Sequence, residues 1–107
     1  MKRKMRVKMD SFKHWIVKMT IVFELEKIGH NVDVEVEIPG RGMADVMDFT
    51  TRIQYEVDGH HTSTYRINKA KKYLRPGLKD VIVVPIHKLS TDINEIRKYV
   101  WDYIVPD

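Results

Sequence analysis

Residues 43–58, MADVMDFTTRIQYEVD, decide how the rest of the chain is read. They form two short strands, one from about Met43 to Phe49 and one from about Arg52 to Asp58. In the second, Ile53, Tyr55 and Val57 face one way and Arg52, Gln54, Glu56 and Asp58 the other, because side chains alternate along a strand. Four carboxylates, Asp45, Asp48, Glu56 and Asp58, stand where apolar or neutral residues are expected. A buried carboxylate is costly unless it is paired or bound to a cation. The stretch therefore poses a chemical question as well as a structural one.

Upstream, Phe12, Trp15, Ile16, Met19, Val22 and Phe23 recur at the spacing of one helix face between Ser11 and about Ile28, with Asp10 or Ser11 as cap and Gly29 as stop. Val32, Val34, Val36 and Ile38 then alternate with Asp33, Glu35 and Glu37, the period of a strand with one buried face. Pro39-Gly40-Arg41-Gly42 turns the chain into the opening stretch, so three strands follow one another as an antiparallel meander. Downstream of Gly59-His60-His61, Thr62 or Ser63 caps a helix carrying Tyr65, Ala70, Tyr73 and Leu74, closed by Pro76-Gly77. Val81 to Ile86 is apolar without alternation, as in an interior strand covered on both faces. The helix before it makes a crossover, which sets this strand parallel to the third. A last helix starts at Ser90 or Thr91 and turns Ile93, Ile96, Tyr99, Val100, Tyr103 and Ile104 inward. The order is α-β-β-β-α-β-α, an α/β fold with a mixed four-stranded sheet flanked by helices.

A chain of 107 residues suits one domain, here residues 11–107 behind a basic tail at 1–10. With 43% hydrophobic and 32% charged residues it falls in the globular class. The absence of cysteine excludes disulfides and thiolate metal sites, leaving carboxylates, histidines and carbonyls as the ligands for any metal. No run approaches the roughly 20 apolar residues that cross a bilayer, and no signal-peptide core follows the basic start; a cytoplasmic protein is expected. The net charge of +4 is uneven: Lys2, Arg3, Lys4, Arg6 and Lys8 precede the first acid, Asp10. That tail reads either as a solvated terminus or as a phosphate-binding arm. Arg66, Lys69, Lys71, Lys72, Arg75 and Lys79 lie in an acid-free segment and suggest an anion-facing surface.

Glu56 and Asp58 share one strand face, and a hairpin brings Asp45 beside the end of the third strand. Hard divalent cations such as Mg²⁺ accept one or two protein carboxylates and complete their shell with water and phosphate. Asp45 with Glu56 is that kind of pair. The alternative is that Glu56 and Asp58 form the solvated face of an edge strand, paired with Arg52 or Arg41. Asp48 reads as a turn-side acid, His60-His61 as polar loop residues, and Trp15, Tyr65 and Tyr73 as core residues rather than base-stacking platforms. Glu26 falls near the apolar face of the first helix.

In this order of elements the chain resembles the PD-(D/E)XK nuclease superfamily, the restriction-endonuclease-like fold. Its motif sets an Asp at the start of the second strand and, about ten residues later, an acid, any residue and a lysine on the third. Asp45 and Glu56 match the two acids. The segment from His14 to Val46 is also similar to a CoiA-like branch whose first helix carries His and Lys four apart, here His14 and Lys18. That fold is shared by archaeal Holliday junction resolvases and RecB-type nucleases, and INKAKKYL, residues 67–74, resembles the RecB-type helix motif, with Tyr73 at its tyrosine and Lys69 at its glutamine.

The resemblance implies a metal-dependent endonuclease acting on DNA. Asp45, Glu56 and the Val57 carbonyl would hold Mg²⁺, or Mn²⁺; Asp58, Lys69, His14 and Lys18 would complete the catalytic group; and Arg41, Arg66, Lys69 and Lys72 would engage nucleic acid. A homodimer fits an enzyme that cuts two strands. The motif lysine, however, is Asp58 in this chain. Either an acid replaces it, or Lys69 or Lys72 reaches back from the following helix, or the domain is an inactive nucleic-acid-binding or assembly module on the same fold.

Overall fold

The structure, a computed structural model, describes residues 9–60 and 62–107. Helix α1 spans Met9–Lys27, followed by strands β1 (Val32–Ile38), β2 (Gly42–Asp48) and β3 (Ile53–Asp58), helix α2 (Ser63–Tyr73), strand β4 (Asp80–Pro85) and helix α3 (Ile93–Val100). The four strands make one sheet in the order β1-β2-β3-β4. The meander is antiparallel, and β4 lies parallel to β3 after the α2 crossover, as the alternation and loop lengths require. The expectations for the basic arm at residues 2–8 and for His61 lie outside the described residues.

Two packed layers hold the sheet. On one side Val17, Ile21 and Leu25 of α1 and Ile96 and Val100 of α3 meet Val46, Tyr55, Val57 and Val84. On the other, Tyr73 of α2 packs with Ile38, Ala44 and Val81. Removing a buried side chain such as Ile21 costs about 2–5 kcal/mol, because lost transfer energy adds to the cavity left behind.

The structure corrects four local readings. In α1 the buried line is Val17, Ile21 and Leu25, while Trp15 is 56% and Phe23 54% exposed. Apolar residues cover so much of that helix that spacing alone cannot select the face that meets the sheet. The acid buried on α1 is Glu24 rather than Glu26: the Trp101 indole donates to Glu24 Oε1 at 2.8 Å, and Arg97 and Lys27 stand beside Oε2. The Trp101 hydrogen bond, with those two cations, lowers the Glu24 pKa despite its burial. Strand β4 is an edge strand rather than an interior one. Its apolar run reflects helices over both faces, which a sequence cannot tell from a neighbour on both sides. Asp92 caps α3 through the Asn94 and Glu95 amides, one residue past the expected start, and Ile93 is left exposed. Thr62 caps α2 as the sequence indicates.

Candidate functional site

Strands β2 and β3 pair from Asp48–Ile53 to Val46–Tyr55, and there the regular ladder ends. One step further the same register sets Asp45 beside Glu56. Side chains replace the missing backbone bonds: Asp45 Oδ2 accepts from the Val57 N–H at 2.8 Å, and Glu56 Oε2 accepts from the Asp45 N–H at 2.8 Å. The β1–β2 ladder lapses at the same level. Val34 pairs with Val46 and Val36 with Ala44, but Glu35, which would meet Asp45, takes φ 51° instead. A left-handed glutamate inside a strand is uncommon, and strain of this kind concentrates at functional positions. Asp45 thus stands where the regular pairing lapses on both of its flanks.

Glu56 is deep and Asp45 half-buried. Glu56 is 1% exposed and lies on a strand flanked by β2 and β4, which removes the alternative of a solvated edge-strand face. Burial first, and then the nearby charge of Asp45, push the Glu56 pKa above the ordinary carboxylate range. Burial also works against the charged form of Asp45. There the His14 hydrogen bond, the Val57 amide and the positive field of Lys69 outweigh it, and the Asp45 pKa is lowered. The pair is therefore held with unequal proton affinities.

Helices on both layers complete the site. His14 Nε2 of α1 stands 3.3 Å from Asp45 Oδ2, and Lys69 Nζ of α2 stands 3.8 Å from Glu56 Oε1. Buried Gln54 donates through Nε2 to Glu56 Oε2 at 3.0 Å, and Arg75 Nη1 donates to Gln54 Oε1 at 2.9 Å. The Tyr73 hydroxyl donates to the Met43 carbonyl at 3.1 Å, and Glu56 and Asp45 raise its pKa after burial does. Gly42, at φ 120°, makes room for that hydroxyl: a Cβ there would come within 2.8 Å of Tyr73 Oη.

Not every expected residue joins this group. Lys18 lies one turn from His14 but is 3.0 Å from Glu35 Oε1, so it braces the irregular β1 residue and not the acids. Asp58, only 2% exposed, gives Oδ1 to the N–H and ring Nδ1 of His60 and makes no ion pair with a lysine or arginine among the described residues. His60 in turn stacks on Tyr65 at 3.7 Å between ring centroids, and Tyr65 is exposed rather than core. Of the expected nucleic-acid contacts, Lys69 and Lys72 flank the site, the latter 5.2 Å over the Tyr73 ring. Arg41 donates to the Lys72 carbonyl at 2.8 Å, while Arg66 is half-buried with Nη1 shut off from solvent. Val57 enters through its N–H. Sequence reasoning overlooked Gln54 and Arg75; a glutamine on the same strand face as two acids was the available signal. Asp48 is a turn-side acid as read, accepting from the Thr50 and Thr51 amides, but its full burial against His30 was not foreseen.

Among the described residues no group of three or more His, Asp or Glu side chains gathers in a way that could hold a metal ion. The acid pair nonetheless has donor chemistry suited to a hard cation, which takes one or two carboxylates. Its hydrogen bonds gather on one oxygen of each group, Asp45 Oδ2 and Glu56 Oε2. Asp45 Oδ1 accepts no hydrogen bond among the described residues, and Glu56 Oε1 faces only the Lys69 ammonium there.

The fold and this pair define an α/β protein with an acidic centre where the strands of a hairpin part. Comparison with models of known families, with curated proteins and with solved structures finds no match. No helix among the described residues is long and apolar enough to cross a membrane.

Proposed function

We propose that the chain is a metal-dependent nuclease acting on DNA phosphodiesters, with Asp45 and Glu56 as the carboxylates that hold Mg²⁺ or Mn²⁺ and the Val57 carbonyl as an additional ligand. The observation that carries this reading is the adjacency of the two acids at a lapse in both ladders, each with its hydrogen bonds on one oxygen. A bound divalent ion would polarise the phosphodiester and lower the pKa of its water. His14 and the Val57 amide keep Asp45 ionised and fixed in direction. Lys69 supplies the amine that the motif position, occupied by Asp58, does not. It balances the charge of Glu56 and lies where it can hydrogen-bond an attacking water or a phosphate oxygen. Lys72, exposed on the same helix, provides a phosphate contact.

One observation favours a second reading, an inactive nucleic-acid-binding module: Asp58 is engaged by His60 and contributes no amine. Cleavage of plasmid and branched DNA in Mg²⁺ and in Mn²⁺ separates the two. Metal-dependent cutting that falls at least about a hundredfold in both Asp45→Asn and Glu56→Gln supports the enzyme. Binding without cutting, indifferent to metal, leaves the module. Cutting that survives both substitutions removes these carboxylates from the chemistry.

A further inference from the structure

We infer that Arg75 and Gln54 form a positioning relay that fixes the direction of the Glu56 carboxylate. The argument rests on which atoms can donate. A guanidinium only donates, so Arg75 Nη1, at 2.9 Å, requires the oxygen of the Gln54 amide to face it. The amide of Gln54 is thereby oriented, and its NH₂ end must face Glu56 Oε2, 3.0 Å away. That oxygen also takes the Asp45 N–H at 2.8 Å, so two donors hold Oε2 and leave Oε1 directed toward Lys69. Arg75 is itself anchored, since the same Nη1 donates at 2.7 Å to the carbonyl of Tyr73, the last residue of α2.

Burial makes this arrangement consequential. Gln54 is fully buried, and an amide there with its donors unpaired is costly, so the chain from Arg75 to Glu56 has one low-energy direction. With the amide reversed, an oxygen would face a carboxylate oxygen and an NH₂ would face a guanidinium. Both contacts are repulsive. Arg75 therefore acts on Glu56 at one remove, in the way that outer partners orient ligating carboxylates. As part of a nuclease centre the relay rests on the reading above; as an arrangement of hydrogen bonds it stands apart from it.

The test compares the direction of the Glu56 carboxylate in crystal structures, and Mn²⁺ affinity by calorimetry, in the intact protein, Gln54→Leu, Arg75→Met and Arg75→Lys. Without the amide donor, or with the amide released, the carboxylate turns away from the direction in which Oε2 takes the Asp45 N–H and Oε1 meets Lys69. Mn²⁺ affinity falls about tenfold in Gln54→Leu and Arg75→Met. Arg75→Lys, which keeps a donor at that position, recovers part of each change and guards against a variant that merely packs badly. If Glu56 keeps its parent direction in the folded Gln54→Leu and Arg75→Met, the relay is overturned, whether or not DNA is cut. If the carboxylate turns while the parent protein neither binds Mn²⁺ nor cuts DNA, the relay stands and the nuclease reading fails.

Discussion

The β2–β3 hairpin buries acids at both ends, and the two ends treat them in opposite ways. At the turn end Asp48 is saturated. It accepts from His30 Nδ1 at 2.6 Å and from the amides of Thr50 and Thr51 at 2.9 and 3.3 Å. The other nitrogen of His30 lies 2.7 Å from the Pro106 carbonyl. A carboxylate and a carbonyl can only accept, so both ring nitrogens donate and the imidazole is held in its charged form. At the open end Asp45 and Glu56 are set against each other, with one oxygen of each held and the other spared. The turn end neutralises its charge inside the fold. The open end keeps two carboxyl groups together, and burial first, then the charge of Asp45, raise the Glu56 pKa.

If that contrast is right, substitutions at the two ends separate stability from activity. The largest effect falls on Asp48→Ala, which strands His30 and two turn amides. Denaturant unfolding should show a loss of about 3–5 kcal/mol, the usual cost of removing one partner from a buried pair. Glu56→Gln should unfold at or above the parent midpoint, because a carboxyl whose folded pKa is raised disfavours the folded state at neutral pH. Equal destabilisation by both would erase the distinction between a structural and a reactive acid.

A smaller effect is expected at Lys69→Ala, with cleavage lowered about ten- to a hundredfold and unfolding nearly unchanged. Restoration of a lysine at the motif position, Asp58→Lys, in the Lys69→Ala background then asks whether the amine must come from α2. Recovery of cutting would show that the two positions serve one role.

The smallest effect is a pH dependence at the turn end. The hydrogen bond that His30 donates to Asp48 raises the His30 pKa above the imidazole value of about 6.5. A group raised in the folded state contributes stability that is complete below its unfolded pKa and is lost as pH rises through the folded value. Melting temperatures should therefore fall as pH rises above neutrality, and His30→Gln should flatten that slope. An unchanged slope would mean that the charge on His30 does not hold this end of the hairpin.

These particulars also mark how far the sequence could be read. The alternation of Val32 to Ile38, the acids of β2 and β3, and the Thr62 cap fixed elements whose pattern has a single reading. The buried face of helix α1 and the place of strand β4 in the sheet differ from the expectation, because an apolar surplus leaves the choice of face or neighbour to packing. The family resemblance implied both His14 and Lys18 at the acids, yet only His14 meets one of them. The turned backbone at Glu35 intercepted Lys18, and a positive φ at a glutamate leaves no mark in the residue pattern.

The sequence by itself determined the order of elements and the register logic that brings Asp45 opposite Glu56, since both follow from local periodicity and the length of a hairpin. Only the tertiary structure decided what surrounds them. Gln54 and Arg75 lie 21 residues apart, His14 and Asp45 sit on different elements, and Asp48 meets His30 across 18 residues. Whether a buried acid is saturated or left with a spare oxygen depends on partners supplied by chain closure, and local pattern carries no record of them.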